Sequence, residues 1–266
     1  MTLCRVVLQQ NYENRTITLV KIGTIGAVMR YPVKSMRGEK LSEVFVNYSG
    51  LTGDRVYAFV NPEKKDNFPW HSARQQHELL LYQANFTQPI SIEKHYPSMN
   101  ELNVNVTTPE GDIQAITDQQ FLKALKKKAV TTFDLRFSEK GMQDAHPVSL
   151  ISYASIEALG NAVATSLDPL RFRANFYLKW ESALQGQHAF YEDTLIDRHI
   201  RIGQKLEIRI VKKDPRCKII NLDPKTAELN PQVLLSVAKN FRGCIGVYAA
   251  VIREGDVHDG DEIELI

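Results

Sequence analysis

The chain has 266 residues, 43% of them hydrophobic and 24% charged, with a formal net charge of +2. A chain of this size and composition can bury a core without disulfide or metal staples. The near-balanced charge gives no reason to expect nucleic acid or an anionic membrane as partner. No apolar run approaches the roughly 18 residues of a spanning helix, and residues 1–20 lack the apolar stretch of a secretory signal. Cys4, Cys217 and Cys244 form neither a disulfide framework nor a paired zinc motif, so a reducing, cytoplasmic compartment is expected.

In chain order, the first third alternates with a period of two. Strands are predicted over 22–29, 41–46, 55–60 and 102–107, with Val44 and Val46 on one face of the second. Gly50-Leu51-Thr52-Gly53-Asp54 and Pro109-Glu110-Gly111-Asp112 are turns. Thr117 is a candidate cap for a helix over 118–128, where Phe121, Leu122 and Leu125 form an apolar stripe and Lys126-Lys127-Lys128 a solvated face. A second helix is predicted over 152–164 on Ile156, Leu159 and Val163. A third, over 232–239, is opened by Asn230-Pro231. Further strands are predicted over 172–178, 205–212, 218–222, 246–253 and 262–266, with hairpin turns at Ile202-Gly203-Gln204 and His258-Asp259-Gly260-Asp261. Many short strands, three helices and no βαβ alternation give an α+β, mainly β architecture with a barrel. No glycine-rich phosphate loop is present. A polar shift near residues 85–120 divides the chain into 1–115 and 116–266, and residues 1–21 are expected to add an edge strand.

The sharpest chemical candidate is Cys217 in Asp214-Pro215-Arg216-Cys217, between two predicted strands. A neighbouring cation favours the thiolate, the form that binds metal or attacks. From the residues alone a buried structural cysteine is the preferred reading for Cys217, and more strongly so for Cys244. Lys34 and Ser35, in Tyr31-Pro32-Val33-Lys34-Ser35-Met36-Arg37, are donors suited to phosphate oxygens or solvated loop charges. Asp54-Arg55 reads as a surface ion pair. Arg171, Arg173 and Asn175 would share one strand face, either exposed or walling a polar pocket. The histidines form no metal pair, and no G-x-S-x-G elbow supports a serine hydrolase.

Taken together, these segments resemble the MOSC domain family. Tyr31-Pro32-Val33-Lys34-Ser35, Gly50-Leu51-Thr52-Gly53-Asp54-Arg55 and Ala73-Arg74-Gln75 resemble its N-terminal β-barrel domain. Leu150-Ile151-Ser152-Tyr153-Ala154-Ser155, Arg171-Phe172-Arg173-Ala174-Asn175-Phe176, Pro215-Arg216-Cys217, Leu222-Asp223-Pro224 and Gly246-Val247-Tyr248 resemble the MOSC domain proper. The resemblance covers residues 22–266 and is similar in architecture to amidoxime-reducing components and hydroxylaminopurine-reducing proteins.

It implies an N-terminal β-barrel-like domain packed with a MOSC β-barrel carrying short helices. It implies a molybdenum cofactor, a pyranopterin with phosphate and dithiolene, whose metal takes the Cys217 thiolate. Lys34, Ser35, Arg55, Ser152, Arg173, Asn175, Arg216, Cys217 and Tyr248 match cofactor-contacting positions, and Cys217 and Tyr248 are the catalytic candidates. Pyridoxal phosphate is a further family-level association. The implied activity is that of an oxidoreductase acting on a small N-hydroxylated substrate, an amidoxime or hydroxylaminopurine. Electrons are expected from a separate ferredoxin- or cytochrome-type protein, because the sequence has neither a cysteine-clustered ferredoxin segment nor a haem motif. The alternative is a sulfur carrier or cofactor-binding protein using a Cys217 persulfide. Asp214 departs from the Ser- or Cys-rich loop of the amidoxime-reducing relatives. Beside an anionic centre it is repulsive unless it turns outward.

Overall fold

A computed structural model describes residues 20–65, 68–90, 96–185 and 188–266. Its organising element is the strand Val20–Arg30, rich in β-branched and small residues and long enough to touch three neighbours. Its start pairs with Glu262–Leu265, its middle with Phe176–Trp180 and its end with Glu39–Leu41, all antiparallel. It thereby closes a seven-stranded barrel that runs Phe176–Trp180, Val148–Ser152, Cys244–Arg253, Leu206–Pro215, His199–Ile202, Glu262–Leu265 and back to Val20–Arg30. Closure removes the free edges that an open sheet would leave. The one parallel pair of the barrel, Val148–Ser152 with Phe176–Trp180, is bridged by a crossover that includes the helix Tyr153–Ala162.

Ile22, Ile25, Leu150, Leu178, Ile208, Val247 and Ile263 fill the barrel. The small sheet of Glu43–Asn47, Gly50–Leu51 and Gly255–His258 adds Val44, Val46 and Val257 to the same core. A second core, with Val33, Tyr57, Phe59, Tyr82, Val106, Phe121 and Phe133, lies between two three-stranded sheets and the helix Gln119–Lys127. The helices Tyr153–Ala162 and Gln232–Asn240 cover the outside of the barrel through Ile156, Leu159, Val233 and Val237. Among the described residues no helix is long and apolar enough to cross a membrane.

The architecture is mainly β, as the alternation predicts, but several local readings are corrected. The strand expected over 172–178 begins only at Phe176. Before it, Asp168 accepts from Leu170 N at 2.9 Å, Pro169 starts a 3-10 turn over Pro169–Phe172, and Arg173 adopts left-handed φ of 51°. Arg171, Arg173 and Asn175 therefore do not share a strand face. Residues 218–222 form a 3-10 helix, Lys218–Asn221, instead of a strand. The first long helix is capped by Asp118, not Thr117: Asp118 Oδ1 accepts from Phe121 N at 2.8 Å. Arg55 lies before the strand Tyr57–Val60 with φ of 53°. The turn at His258–Asp261 closes no hairpin. Gly255–His258 pairs with Glu43–Asn47, while Glu262–Leu265 goes to the barrel. Val20 and Lys21 pair with Leu265 and Glu264 at the barrel seam; Cys4 and the rest of residues 1–19 lie outside the described residues.

Candidate functional site

Between the barrel mouth and the second core lies a cavity of about 500 Å³. Loops build most of it. Lys34 and Ser35 follow the strand Val20–Arg30, Arg55 precedes Tyr57–Val60, and Gln143 to His146 precede Val148–Ser152. From the barrel side come Arg171 to Arg173, Asn175 and Tyr248, with Lys212 and Asp214 to Cys217 at the end of Leu206–Pro215. Ser35, Arg55 and Arg173 all have left-handed φ, of 71°, 53° and 51°. Such conformations cost energy in residues other than glycine and gather where the surroundings fix a site.

The lining is cationic. Lys34, Arg55, Arg74, Arg171, Arg173, Lys212 and Arg216 face it among the described residues, against the carboxylates of Asp144 and Asp214. Arg55 and Arg173 stack on the Tyr31 ring, 4.8 and 4.4 Å from its centroid. Arg55 pairs with buried Asp54 and donates to Arg173 O at 2.8 Å. Burial works against its charge, yet Asp54 and Tyr31 hold it above the ordinary arginine range. Among the described residues no carboxylate forms an ion pair with Arg173, and burial pulls it down to about 10. The expected surface pair Asp54-Arg55 is in fact an interior one, because Asp54 is 1% exposed and also accepts from Tyr31 N and Asn175 Nδ2. Lys34 reaches Asp144 at 2.6 Å and Met142 O at 2.7 Å, with burial weakening its charge. Burial opposes the Asp144 charge, but Lys34 together with Arg55 and Arg74 outweighs it and holds the carboxyl below its ordinary range.

Three guanidinium nitrogens on residues that line the cavity are buried without a hydrogen-bond partner among the described residues: Arg171 Nε, Arg173 Nη2 and Arg216 Nη2. Buried charged donors left open are costly. A bound anion would supply their acceptors, and the forked geometry of arginine suits phosphate or a heterocycle edge. Cys217 is a free, half-buried thiol on the same wall. Asn175 is fixed from both ends: Oδ1 accepts from Ser149 N at 3.1 Å and Ser149 Oγ at 3.0 Å, and Nδ2 donates to Asp54.

The structure thus gathers Lys34, Ser35, Arg55, Arg173, Asn175, Arg216, Cys217 and Tyr248 around one cavity. Ser152 is not in its lining. Its Oγ caps the helix Tyr153–Ala162 by accepting from Ser155 N at 3.1 Å. Arg74, Asp144, His146 and Ser149 join the lining without having been singled out as site residues, and Arg171 joins it as a wall of the polar pocket. The Ala73-Arg74-Gln75 and Arg171-Phe172-Arg173 motifs held the signal for the two arginines. Asp144 carried none, because its partner Lys34 is distant in the chain. Asp214 does not turn outward: it is 3% exposed and lies 2.9 Å from Arg216.

Comparison with known proteins matches residues 136–264 to the MOSC domain and residues 22–141 to the MOSC N-terminal beta barrel domain. The chain belongs to the MOSC family. Mitochondrial amidoxime reducing component 2 of Rattus norvegicus is 26% identical, aligned over 99% of this MOSC protein and 89% of that chain. Mitochondrial amidoxime-reducing component 1 of Homo sapiens is 23% identical over 93% and 84%. Molybdenum cofactor sulfurase of Caenorhabditis elegans is 29% identical over 91% of this chain, which spans 35% of the sulfurase. Among solved structures, the YUAD protein from Bacillus subtilis aligns with 93% of this chain and 98% of its own at 12% identity and a TM-score of 0.49.

Proposed function

We propose that this MOSC protein binds a molybdenum cofactor in the cavity, with the Cys217 thiolate as metal ligand. In this reading it reduces N-hydroxylated compounds, amidoximes and hydroxylaminopurines, in the cytoplasm, with electrons from a separate ferredoxin- or cytochrome-type protein. The observation that carries this reading is the position of Cys217 in the same lining as arginines whose buried guanidinium donors have no partner among the described residues. The similarity to proteins named amidoxime reducing components over nearly the whole chain supports the choice of reaction.

The residues present suit the cofactor. Arg173 and Arg216 would meet its anionic and hetero-atom edges with their open nitrogens, and Lys34, Ser35, Arg55 and Asn175 would complete the cradle. When bound, the molybdenum centre supplies the two-electron chemistry that the protein side chains lack. The overall reduction breaks the N–O bond, takes up two electrons and two protons, and releases water. The residue we assign to proton donation is Tyr248. Burial, reinforced by Asp214, raises its pKa, so its hydroxyl keeps its proton across the physiological range. The cavity is open enough to one side that Lys212, His146 and Arg74 can meet the substrate.

The experiment is turnover of benzamidoxime with reduced methyl viologen as electron donor, on protein expressed in a host that makes the cofactor. Product amidine from wild type and none from Cys217→Ser supports the reading. Cofactor-loaded wild type that never turns over refutes it and favours the second reading, a sulfur carrier. The exposed face of the free Cys217 thiol and the likeness to proteins named molybdenum cofactor sulfurase support that second reading. It predicts a Cys217 persulfide, visible as a mass increase of one sulfur on the Cys217 peptide.

A further inference from the structure

The strand Leu206–Pro215 alternates between buried and more exposed positions at its start, then breaks step. Against Cys244–Arg253 its register slips where Ile210 faces Ala249 but Lys212 faces Tyr248, and again where Lys213 faces Val247 but Pro215 faces Cys244. Bulges of this kind re-aim side chains. Here Lys212 and Lys213 are both exposed while the next residue, Asp214, turns into the cavity. Gly246, at φ of 75°, accommodates the bend: a Cβ there would lie 2.7 Å from Leu150 O and 2.9 Å from Arg216 Nη2.

A buried carboxylate is unfavourable unless charged or polar partners meet it. Asp214 meets two, and both belong to the cavity. Its Oδ2 lies 2.9 Å from Arg216 Nη1, and the Tyr248 hydroxyl, the neighbouring polar group in the lining, interacts with the same carboxylate. Arg216 also donates from Nε to Ile245 O at 2.8 Å and from Nη1 to Phe172 O at 2.9 Å. With those nitrogens committed, only Nη2 is left open, and it is buried. The Tyr248 ring stands 5.8 Å from that of His146, so Asp214 fixes the hydroxyl end while the ring is held separately.

We infer that Asp214 is a positioning residue of this site: its carboxylate is a clamp that holds the Arg216 guanidinium and the Tyr248 hydroxyl in place on the cavity wall that carries Cys217. The kinetic part of this inference rests on the reductase reading. The clamp itself does not, so the two fail separately.

The first arm of the test uses cofactor-free protein. Urea unfolding of Asp214→Ala, Tyr248→Phe and the double variant forms a cycle. The clamp predicts that the double variant loses clearly less than the two single losses combined; additive losses overturn it. If Asp214→Ala does not fold, Asp214→Asn takes its place. The second arm uses molybdenum-loaded protein and benzamidoxime. Asp214→Asn can keep only one of the two partners properly bonded. Its metal content should match wild type, its kcat should fall about tenfold or more, and its KM should stay within about threefold. Asp214→Glu, which retains both acceptor oxygens, should recover part of the loss. An unchanged kcat in Asp214→Asn, or a change in KM alone, overturns the positioning role.

Discussion

Two buried polar clusters in this molecule use similar residues to opposite ends. Beneath the helix Tyr153–Ala162, Glu192 is 1% exposed and fully engaged. Oε1 accepts from Ser152 N at 3.1 Å and Ser155 Oγ at 2.6 Å, and Oε2 accepts from Trp180 Nε1 at 3.1 Å. That cluster stitches a helix, a barrel strand and a 3-10 turn together and leaves nothing for a ligand. The cavity lining is also buried and polar, but it ends in open donors at Arg171, Arg173 and Arg216. A satisfied network rigidifies a fold, whereas one that is incomplete in the same dry surroundings marks where a partner belongs.

Breaking the satisfied cluster should have the largest effect on stability. Glu192→Ala strands three donors, and urea denaturation should show a loss of about 3 kcal/mol, with the cavity's ligand affinity unchanged once the variant is folded. Gly246→Ala comes next. Its positive φ and the close approach of Leu150 O predict a loss of about 2 kcal/mol by the same measurement, together with displacement of Arg216. Arg173→Ala sharpens the contrast. It removes the bond to Met36 O at 2.7 Å but also a buried charge that lies beside Arg55 and has its pKa lowered by burial. Stability of the cofactor-free protein should therefore stay within about 1 kcal/mol of wild type, while cofactor retained through purification falls at least about tenfold. A large stability loss in Arg173→Ala would put the cavity in the same class as the Glu192 cluster.

The smallest expected effect is on pH dependence. Asp144 has its folded pKa lowered, chiefly by Lys34 against the opposing effect of burial, so the unfolded chain binds more protons just below the ordinary value of 3.8. Its contribution is present above that value and lost as pH falls through the lowered one. Asp144→Asn should lower stability slightly above about pH 4, near neutrality included, and the difference from wild type should shrink as pH falls through the lowered pKa. No difference near neutrality, or one that persists undiminished in acid, would contradict the assignment.

The strands of the barrel are legible in the sequence because half-buried strands alternate, as the segment Val20–Arg30 and the pair Val44 and Val46 do. A barrel is expected from the many short strands, but its seam is not legible, because it depends on Val20–Arg30 meeting residues from the far end of the chain. The short motifs marked most of the cavity residues, but not how they reach it. Alternation placed Arg173 and Asn175 together on a strand face. The observed arrangement comes from a capped turn and a left-handed Arg173, whose carbonyl accepts from Arg55 and whose Nη1 donates to Met36 O. Ser152, matched to a cofactor position, is drawn to a helix cap that its own side chain favours. The inward turn of Asp214 depends on a register slip against a partner strand, which no local pattern in residues 205–217 encodes.

The most direct test of the central claim is the molybdenum content of purified protein from a cofactor-producing host, wild type beside Cys217→Ser. The structure predicts near-stoichiometric molybdenum in wild type and its loss in an equally well-folded variant. Well-folded wild type without molybdenum, or a Cys217→Ser variant that retains it in full, would contradict the assignment of the cavity.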